Sequence, residues 1–375
     1  MIIDQHIRHM DCINRNDRFR LPAEWEPQSG IQLTWPHAGT DWLPYLPEIT
    51  ATLIEMARAI AQYEPVVAVI PPEGDIESQL RSALGPDLQE RLRCYPCATD
   101  DTWARDHGPL TLVSDAGADS AQRTCRLLDF RFNGWGGKFP ADKDNLISRQ
   151  LHAAGAFRGI LEDHGDFVLE GGAIESDGAG TVFTTSTCLL APHRNQPMTQ
   201  AEIERRLLET LHARRIVWLD HGQLIGDDTD GHIDTIVRPA PDDTLLYVGC
   251  DDRNDPQYAD LMALEQQLQS LRTLDGRPYR LLRLPMPDAI CDRTPDGEER
   301  LPATYANFVI LNGAVLCPTY AQPEKDAVAA GLIQQAFPGR LVIGIDARTV
   351  IRQHGSLHCL TMQYPEGALT LGRNA

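Results

Sequence analysis

Nucleophilic and acidic side chains stand in short motifs beside apolar, strand-like runs of this 375-residue chain. Cys359 follows a Gly-Ser turn and precedes Leu-Thr-Met-Gln, which places its thiol at the start of a predicted strand. A free cysteine is most often a small buried hydrophobic residue, and that is our interpretation of the other eight cysteines. Here His354 and His358 stand close enough to favour a thiolate, the nucleophilic form of cysteine. We therefore predict that Cys359 is a nucleophile.

The densest group of ionisable residues is the segment 227–234, Asp-Asp-Thr-Asp-Gly-His-Ile-Asp. If this segment is a strand, His232 and Asp234 share one face and point into the same pocket. A calcium loop is disfavoured because no Glu stands at its twelfth position and no pair of flanking helices is evident. A zinc or manganese site built from the histidine and the aspartates stays open as an alternative.

Two other motifs combine an acidic residue with glycine. Trp103–Pro109 (Trp-Ala-Arg-Asp-His-Gly-Pro) places Asp106 where a strand meets a loop, where the charges hold a cation or form a structural ion pair. Leu169–Gly172 (Leu-Glu-Gly-Gly) makes Glu170 either a buried orienting carboxylate or an edge residue. The glycine-rich segment 132–138 lines a pocket or turns the chain, and it lacks the Gly-Lys-Ser/Thr end of a phosphate-binding loop.

Taken together, these side chains suit one electrophile. A Cys–His hydrolase needs a thiolate, a proton carrier and a group that orients the carrier. Two further carboxylates have no role in cleaving a neutral amide, but they fit a guanidinium, whose N–H donors pair with carboxylates two at a time. Asp106 and Asp234 would then hold the planar group with its carbon facing the sulfur of Cys359.

The spacing of these residues predicts a repeated unit. The intervals are 170 − 106 = 64, 232 − 170 = 62 and 359 − 232 = 127, the last close to twice the others. Strand-like runs alternate with amphipathic helical patterns, which is typical of an α/β protein. A period in the low sixties suggests that each unit presents one polar residue at an equivalent place.

The predicted elements follow from apolar periodicity and turn residues. Asp177-Gly178 predicts the turn of a hairpin, and Met286–Arg300 is interpreted as a surface loop. Strands are predicted at residues 31–35, 66–70, 110–113, 182–185, 215–218, 244–248, 308–311 and 341–345. Helices are predicted at residues 47–63, 75–84, 200–213, 257–273 and 323–337.

Composition excludes several classes of protein. The formal charge of −19 argues against a nucleic-acid binder, and no run of about 18 or more apolar residues predicts a membrane span. Solubility is a sufficient explanation of this negative net charge, although its electrostatic field would also attract a small cation. No apolar secretory segment is visible at the N-terminus, so we expect a cytoplasmic protein with reduced thiols. The lone Cys94-Tyr-Pro-Cys97 pair is a weak zinc or redox signal.

The motifs resemble those of the agmatine deiminases, members of the guanidino-group-modifying superfamily. The resemblance runs from about residue 20 to about residue 365 and keeps the family's order of motifs. It rests on RLPAEWEP at 20–27, WARDHGP at 103–109, FNGWGG at 132–137, LEGG at 169–172, DGHID at 230–234, YANF at 305–308 and GSLHC at 355–359.

The resemblance implies the pentein fold, a five-bladed α/β propeller of pseudo-repeats. It implies one catalytic domain over residues 20–368, between an N-terminal tail (1–19) and a C-terminal tail (369–375). The implied catalytic residues are Cys359 as nucleophile, His232 as general acid/base with Glu170 as its partner, and Asp106 and Asp234 on the guanidinium.

For substrate binding, Trp103 resembles the family's aromatic lid residue, and Asp228 stands where the family has an acid near the distal amine of the substrate. The resemblance implies a small cationic guanidine as substrate, no metal or organic cofactor, no nucleic-acid or membrane partner, and a homo-oligomer. Two loops depart from the family pattern: Gln353–Ser356 replaces a glycine triplet and Asn, and Ala191–Asn195 replaces Asn-Pro-Asn-Arg-Asn.

Three alternatives to agmatine deimination remain at this point. The first is the same chemistry on free arginine, a methylated arginine or a peptidyl arginine. The second is a metal-dependent hydrolase that uses His232, Asp227, Asp228 and Asp230. The third is a non-catalytic protein that binds polyamines or guanidines, which would leave Cys359 without a role.

Overall fold

The computed structural model describes residues 19–114, 123–294 and 297–370. Within these residues no helix is long and apolar enough to cross a membrane. The α-helices are α1 Leu46–Ala61, α2 Ile76–Leu84, α3 Ala104–His107, α4 Gly134–Gly137, α5 Ile147–Ala153, α6 Ser186–Leu189, α7 Gln200–Thr210, α8 Tyr258–Ser270 and α9 Pro323–Ala336.

The β-strands of the same residues are short, as expected for an α/β protein with many units. They are β1 Phe19–Arg20, β2 Gln28–Thr34, β3 Val66–Ile70, β4 Leu92–Pro96, β5 Leu110–Ser114, β6 Cys125–Arg131, β7 Ile160–Val168, β8 Ile174–Ser176, β9 Thr181–Thr185, β10 Arg215–Leu219, β11 Val237–Ala240, β12 Thr244–Val248, β13 Arg280–Leu284, β14 Cys291–Thr294, β15 Gly297–Arg300, β16 Val309–Ile310, β17 Ala314–Thr319, β18 Leu341–Asp346 and β19 Thr361–Pro365.

One connection pattern recurs along the chain. An antiparallel pair is followed by a helix and then by a strand parallel to the second member of the pair. The four instances are β5-β6-α5-β7, β8-β9-α7-β10, β11-β12-α8-β13 and β16-β17-α9-β18. A parallel pair needs such a crossover, which explains why helical patterns separate the apolar strands of the sequence.

A fifth sheet joins the two ends of the described chain. The last strand, β19, pairs antiparallel with β2, and the parallel strands β3 and β4 complete the order β19-β2-β3-β4. Five sheets of three or four strands therefore match the five units that the resemblance implies. The α/β class is confirmed, while the radial arrangement of these units stays a prediction.

The predicted polar markers all precede the first strand of a unit. Asp106 lies before β5, Glu170 before β8, His232 before β11 and Cys359 before β19. The remaining unit begins at β16, and Asn307 precedes it, dividing the long interval of 127 residues into 75 and 52. The repeat inferred from spacing is therefore present, with unequal lengths.

Local sequence explains where several elements begin and turn. Thr199 and Glu202 form a reciprocal capping box at the start of α7. The predicted hairpin is confirmed, with Gly178 at a φ of 69° between β8 and β9. The interpretation of residues 286–300 as a loop is wrong in part, because β14 and β15 pair there as an exposed antiparallel hairpin.

The described residues include a part of each predicted tail. Phe19, assigned to the N-terminal tail, lies in β1 and pairs with Ser114 of β5. Leu369, assigned to the C-terminal tail, is buried and bridges to Phe157. The rest of the predicted tails, residues 1–18 and 371–375, lies outside the described residues.

Candidate active site

Cys359 is held at the start of β19 by an amide from another unit. The Asn307 Oδ1 atom accepts hydrogen bonds from the backbone N–H groups of His358 (2.9 Å) and Cys359 (3.3 Å). The Cys359 Sγ atom lies 3.4 Å from that oxygen and 3.7 Å from Asp234 Oδ2. The thiol therefore sits against a carboxylate, in a turn that the Asn307 side chain fixes.

Asp106 is fixed from two sides. Its Oδ2 accepts a hydrogen bond from the indole Nε1 of Trp135 at 2.9 Å, and its Oδ1 accepts one from the Gly172 backbone N–H at 3.0 Å. A Cβ on Gly172 would lie 2.6 Å from His232 Nδ1 and 2.9 Å from Asp106 Oδ1. Glycine is thus required at this point for the backbone to approach the carboxylate.

His232 is fully buried next to two acids. Its Nδ1 lies 3.7 Å from Asp106 Oδ1. One of its ring nitrogens, a Glu170 carboxylate oxygen and Cys188 Sγ all lie within 4.8 Å of one another. Arg194 holds Glu170, donating from Nε to Glu170 Oε1 at 2.8 Å, while its other nitrogens bind Asp230 and the Thr229 carbonyl. Arg194 thereby ties Glu170 to the loop that carries His232.

Behind the sulfur lies a buried ionic network. His358 Nδ1 is 2.7 Å from Asp234 Oδ2, and its Nε2 is 2.8 Å from Glu24 Oε1. Glu24 accepts hydrogen bonds from Arg105 (2.9 Å) and Arg238 (2.6 Å). Through His358 this network holds the carboxylate that contacts Cys359.

An open cavity leads to Cys359, with about 380 Å³ of empty space that includes open solvent. Trp103 and Asp106 line it near the thiol, and Trp103 packs on the backbone of Gly355, where a Cβ would overlap its ring. Asp234, His232 and Glu170 do not line the cavity and lie in the fully buried layer behind it. The other lining residues are Asp41, Asp101, Trp135, Phe139, Asp228, Thr229, Gln353, His354 and Gly355.

The surroundings keep the thiol neutral and the imidazole charged. Burial raises the pKa of Cys359 well above its ordinary value, and the Asp234 and Asp106 carboxylates add to this effect. Burial is the largest effect on His232 and opposes its charge, but Asp106, Cys188 and Glu170 together outweigh it and raise the pKa of His232 well above 6.5. Without a bound cation, the site therefore pairs a protonated histidine with an uncharged thiol.

The two carboxylates near the sulfur titrate differently. Burial raises the pKa of Asp106 to about 6, despite the opposing charge of His232. For Asp234 the effect of burial is exceeded by the hydrogen bond and charge of His358, so its pKa is lowered. At the cavity mouth, burial also raises the pKa of Asp228 and of Asp101 to about 6 each.

The structure corrects the predicted local conformation of His232 and Asp234. The two residues do not share a strand face: Ile233–Thr235 form a 3-10 turn before β11, after Asp230 and Gly231 at φ values of 70° and 98°. The turn nevertheless buries both side chains at the site. The common pocket that was expected from strand geometry is produced by a tight turn.

Two of the three loop carboxylates proposed as metal ligands have protein partners. Asp227 accepts from the N–H and hydroxyl of Thr229 and from the Gly231 N–H, and Asp230 pairs with Lys138 and Arg194. Among the described residues, two other groups place three ligand atoms within 4.8 Å. They are Glu170 with Cys188 and His232, and Glu24 with Glu175 and His358.

Several site residues were not singled out from the sequence. Asn307 and Trp135 stood in recognised motifs, and His358 was noted only as a neighbour of Cys359. Asn307 had a detectable signal, because it occupies the missing position in the doubled interval of the repeat. Arg194 stood in the loop 191–195, which was noted only for its departure from the family pattern. Cys188 had no signal, since its importance arises from long-range packing.

Comparisons with known proteins agree with this geometry. The model of the Porphyromonas-type peptidyl-arginine deiminase family matches residues 20–365. An agmatine deiminase of Pseudomonas aeruginosa is 35% identical, over 94% of this chain and 96% of that protein. The chain belongs to this deiminase family.

Two solved structures of deiminase relatives cover nearly the whole chain. A Porphyromonas gingivalis protein, provisionally named an arginine deiminase, is 47% identical with a TM-score of 0.86, over 94% of this chain and 100% of its own. A cysteine-to-serine variant of the C. jejuni agmatine deiminase with substrate bound is 32% identical with a TM-score of 0.83, over 94% and 98%. The deiminase fold therefore extends across both ends of the described residues.

Proposed function

We propose that this protein hydrolyses agmatine to N-carbamoylputrescine and ammonia. One observation carries the proposal: the Cys359 thiol lines a cavity together with Asp106 and lies 3.7 Å from the carboxylate of Asp234, which is buried directly behind that cavity. Two fixed carboxylates beside a nucleophile suit a planar cation with paired N–H donors, which is a guanidinium. Agmatine carries that group at one end and an ammonium at the other.

The first half of the reaction forms a covalent adduct. A guanidinium bound by Asp106 and Asp234 offsets the negative charge that opposes ionisation of Cys359, so the thiol releases its proton to solvent. The thiolate attacks the guanidinium carbon and forms a C–S bond. His232, which is protonated, then gives its proton to the departing NH2 group as the C–N bond breaks and ammonia leaves. An amidino-thioether cation and a neutral His232 remain.

The second half removes the adduct. Neutral His232 takes a proton from a water molecule, whose oxygen attacks the same carbon. The C–S bond breaks, the hydroxyl proton of the intermediate passes to the departing sulfur, and the carbon keeps the oxygen as the carbonyl of a neutral urea. Cys359 thereby returns to its neutral thiol. Glu170, held by Arg194, stabilises the charged form of His232, and the two aspartates keep the carbon in register throughout. No step uses a metal or an organic cofactor.

The cavity mouth favours an amine over a carboxylate at the substrate's tail. Asp41, Asp101 and Asp228 line it, so an ammonium gains and an α-carboxylate loses electrostatically. Relatives named agmatine deiminase support the same choice. Arginine is the alternative, because a 47% identical structure carries that provisional name. Trp103, stacked on Gly355 beside the thiol, would cover the bound guanidinium.

The decisive experiment compares ammonia release from agmatine, free arginine and a C-terminal peptidyl arginine. We expect agmatine to have the highest kcat/KM, and a preference for arginine would remove the assignment. Cys359→Ser should abolish turnover and keep binding, whereas Cys94→Ser, at a thiol remote from the cavity, should change neither. Activity that disappears on dialysis against a chelator would favour a metal-dependent hydrolase instead.

We further propose that the enzyme works in a reducing cytoplasm, in the formation of putrescine, as a homo-oligomer. Support for the compartment comes from the eight cysteines in the described part of the chain, all of which are free thiols. The product, a carbamoylated diamine, is one hydrolysis away from putrescine. Analytical ultracentrifugation tests the oligomer, which rests on the family resemblance.

A further inference from the structure

His354 lies in the segment 353–356, one of the two loops that differ from the pattern of the resembled family. Its φ of 65° is the left-handed conformation that glycine adopts without cost. A histidine in this conformation carries a strain that glycine would avoid. The side chain lines the cavity, half-buried, together with Asp228.

The orientation of the His354 ring is set by a backbone carbonyl. Nδ1 lies 2.7 Å from the Gly226 oxygen, and a carbonyl oxygen only accepts, so Nδ1 carries the hydrogen. In the neutral tautomer this leaves Nε2 as an acceptor. Within the described residues no hydrogen-bond partner of Nε2 is present.

The charges around the ring select a cation. Asp228 is close enough for the two side chains to influence each other's charge, and Asp41 and Asp101 line the same cavity. The charge of Lys138 is already paired within the protein, because its Nζ binds the Asp228 carbonyl (2.6 Å) and the Asp230 carboxylate (2.7 Å). An incoming ammonium thus meets the carboxylates of Asp41, Asp101 and Asp228 and the ring of His354 in one cavity.

We propose that His354 is a specificity-determining residue, whose Nε2 accepts a hydrogen bond from the terminal ammonium of the substrate while Asp228 supplies the charge. The inference deepens the proposed function and rests on it. The inference also gives the strained conformation of His354 a function. The imidazole ring adds a hydrogen-bond acceptor with a fixed direction to a binding site that otherwise attracts the ammonium only through the charge of Asp228. Selectivity for an amine tail then depends on position as well as on charge.

The test removes the ring without straining the backbone. His354→Gly should lower kcat/KM for agmatine about 10- to 100-fold, the effect of one hydrogen bond to a charged group, mainly through KM. For n-butylguanidine, which has the same chain length and no amine, the change should stay within about twofold. His212→Gly, at an exposed histidine with a φ of 52° outside the cavity, is the matched control and should alter neither substrate.

Each other result has a definite meaning. Equal losses for agmatine and n-butylguanidine in His354→Gly would make His354 a structural residue and overturn the inference alone. Arginine turnover by the parent enzyme that disappears in His354→Gly would make the ring a cation that binds carboxylate, which also overturns it. No ammonia from either guanidine with the parent enzyme would overturn the proposed function, and the inference with it.

Discussion

Removal of one indole N–H should weaken the grip of Asp106 on the substrate. Trp135 donates from Nε1 to Asp106 Oδ2 at 2.9 Å, and both side chains are buried. Trp135→Phe keeps an aromatic ring but leaves the carboxylate with one donor fewer. A hydrogen bond to a buried charged group contributes about 1.5–3 kcal/mol, so kcat/KM should fall about 10- to 100-fold.

The same substitution should shift the acid limb of the pH–rate profile. Burial raises the pKa of Asp106 to about 6, and the hydrogen bond from Trp135 acts in the opposite direction, since it favours the ionised form. Catalysis requires the carboxylate, so activity is lost as pH falls through this pKa. Removal of about 1.4 kcal/mol of preference for the ionised form raises the pKa by about one unit. The limb should therefore move upward by about that amount.

The assay is kcat/KM for agmatine as a function of pH in the parent enzyme and in two variants. Asp101 and Asp228 also titrate near pH 6, so the informative quantity is the difference between variants. Trp218→Phe is the matched control, because its Nε1 also donates to a carboxylate, that of Glu204, outside the cavity. An acid limb that is the same in Trp135→Phe and the parent would refute the role of this hydrogen bond.

Two further substitutions test the packing and the ionic network. Gly355→Ala places a Cβ against the Trp103 ring and should lower kcat/KM for agmatine. Gly331→Ala on α9 is the control, because open space surrounds that position, and it should leave kcat/KM unchanged. Glu24→Gln removes the negative charge that pairs with the buried Arg105 and Arg238, so it should lower the free energy of unfolding by about 3–5 kcal/mol. Urea denaturation measures this loss, with Glu77→Gln at an exposed ion pair as the control. Because its pairing lowers the pKa of Glu24, this contribution is present above pH 4.5 and is lost as pH falls towards the lowered value.

The repeat was predictable from the sequence because function places one polar residue at the same point of each unit. Asp106, Glu170, His232 and Cys359 could be chosen by their chemistry, and their spacing indicated the unit length. Asn307 was missed because an amide is not a nucleophile, an acid or a base, so it did not enter the set of markers. Its role depends on accepting hydrogen bonds from residues 51 and 52 positions away.

What the sequence could not predict are the contacts made at long range. The network behind the sulfur joins Glu24 to His358 across 334 residues, and no local pattern encodes such a pair. The assumption of a strand at His232 and Asp234 failed for a related reason. Alternation along 227–234 is compatible with a strand, but two consecutive residues with positive φ turn the chain there instead.

In the proposed mechanism, the charges of the site also account for the release of the product. Burial, Asp234 and Asp106 raise the pKa of Cys359, so only a cation between the two carboxylates makes the thiolate accessible. The guanidinium supplies that charge on entry, and the adduct keeps it until water has attacked. The product is a neutral urea, which can no longer pair ionically with either aspartate. The same acids that suppress the nucleophile in the empty site therefore bind the substrate more tightly than the product, and the reaction is not reversed by product that remains in the cavity.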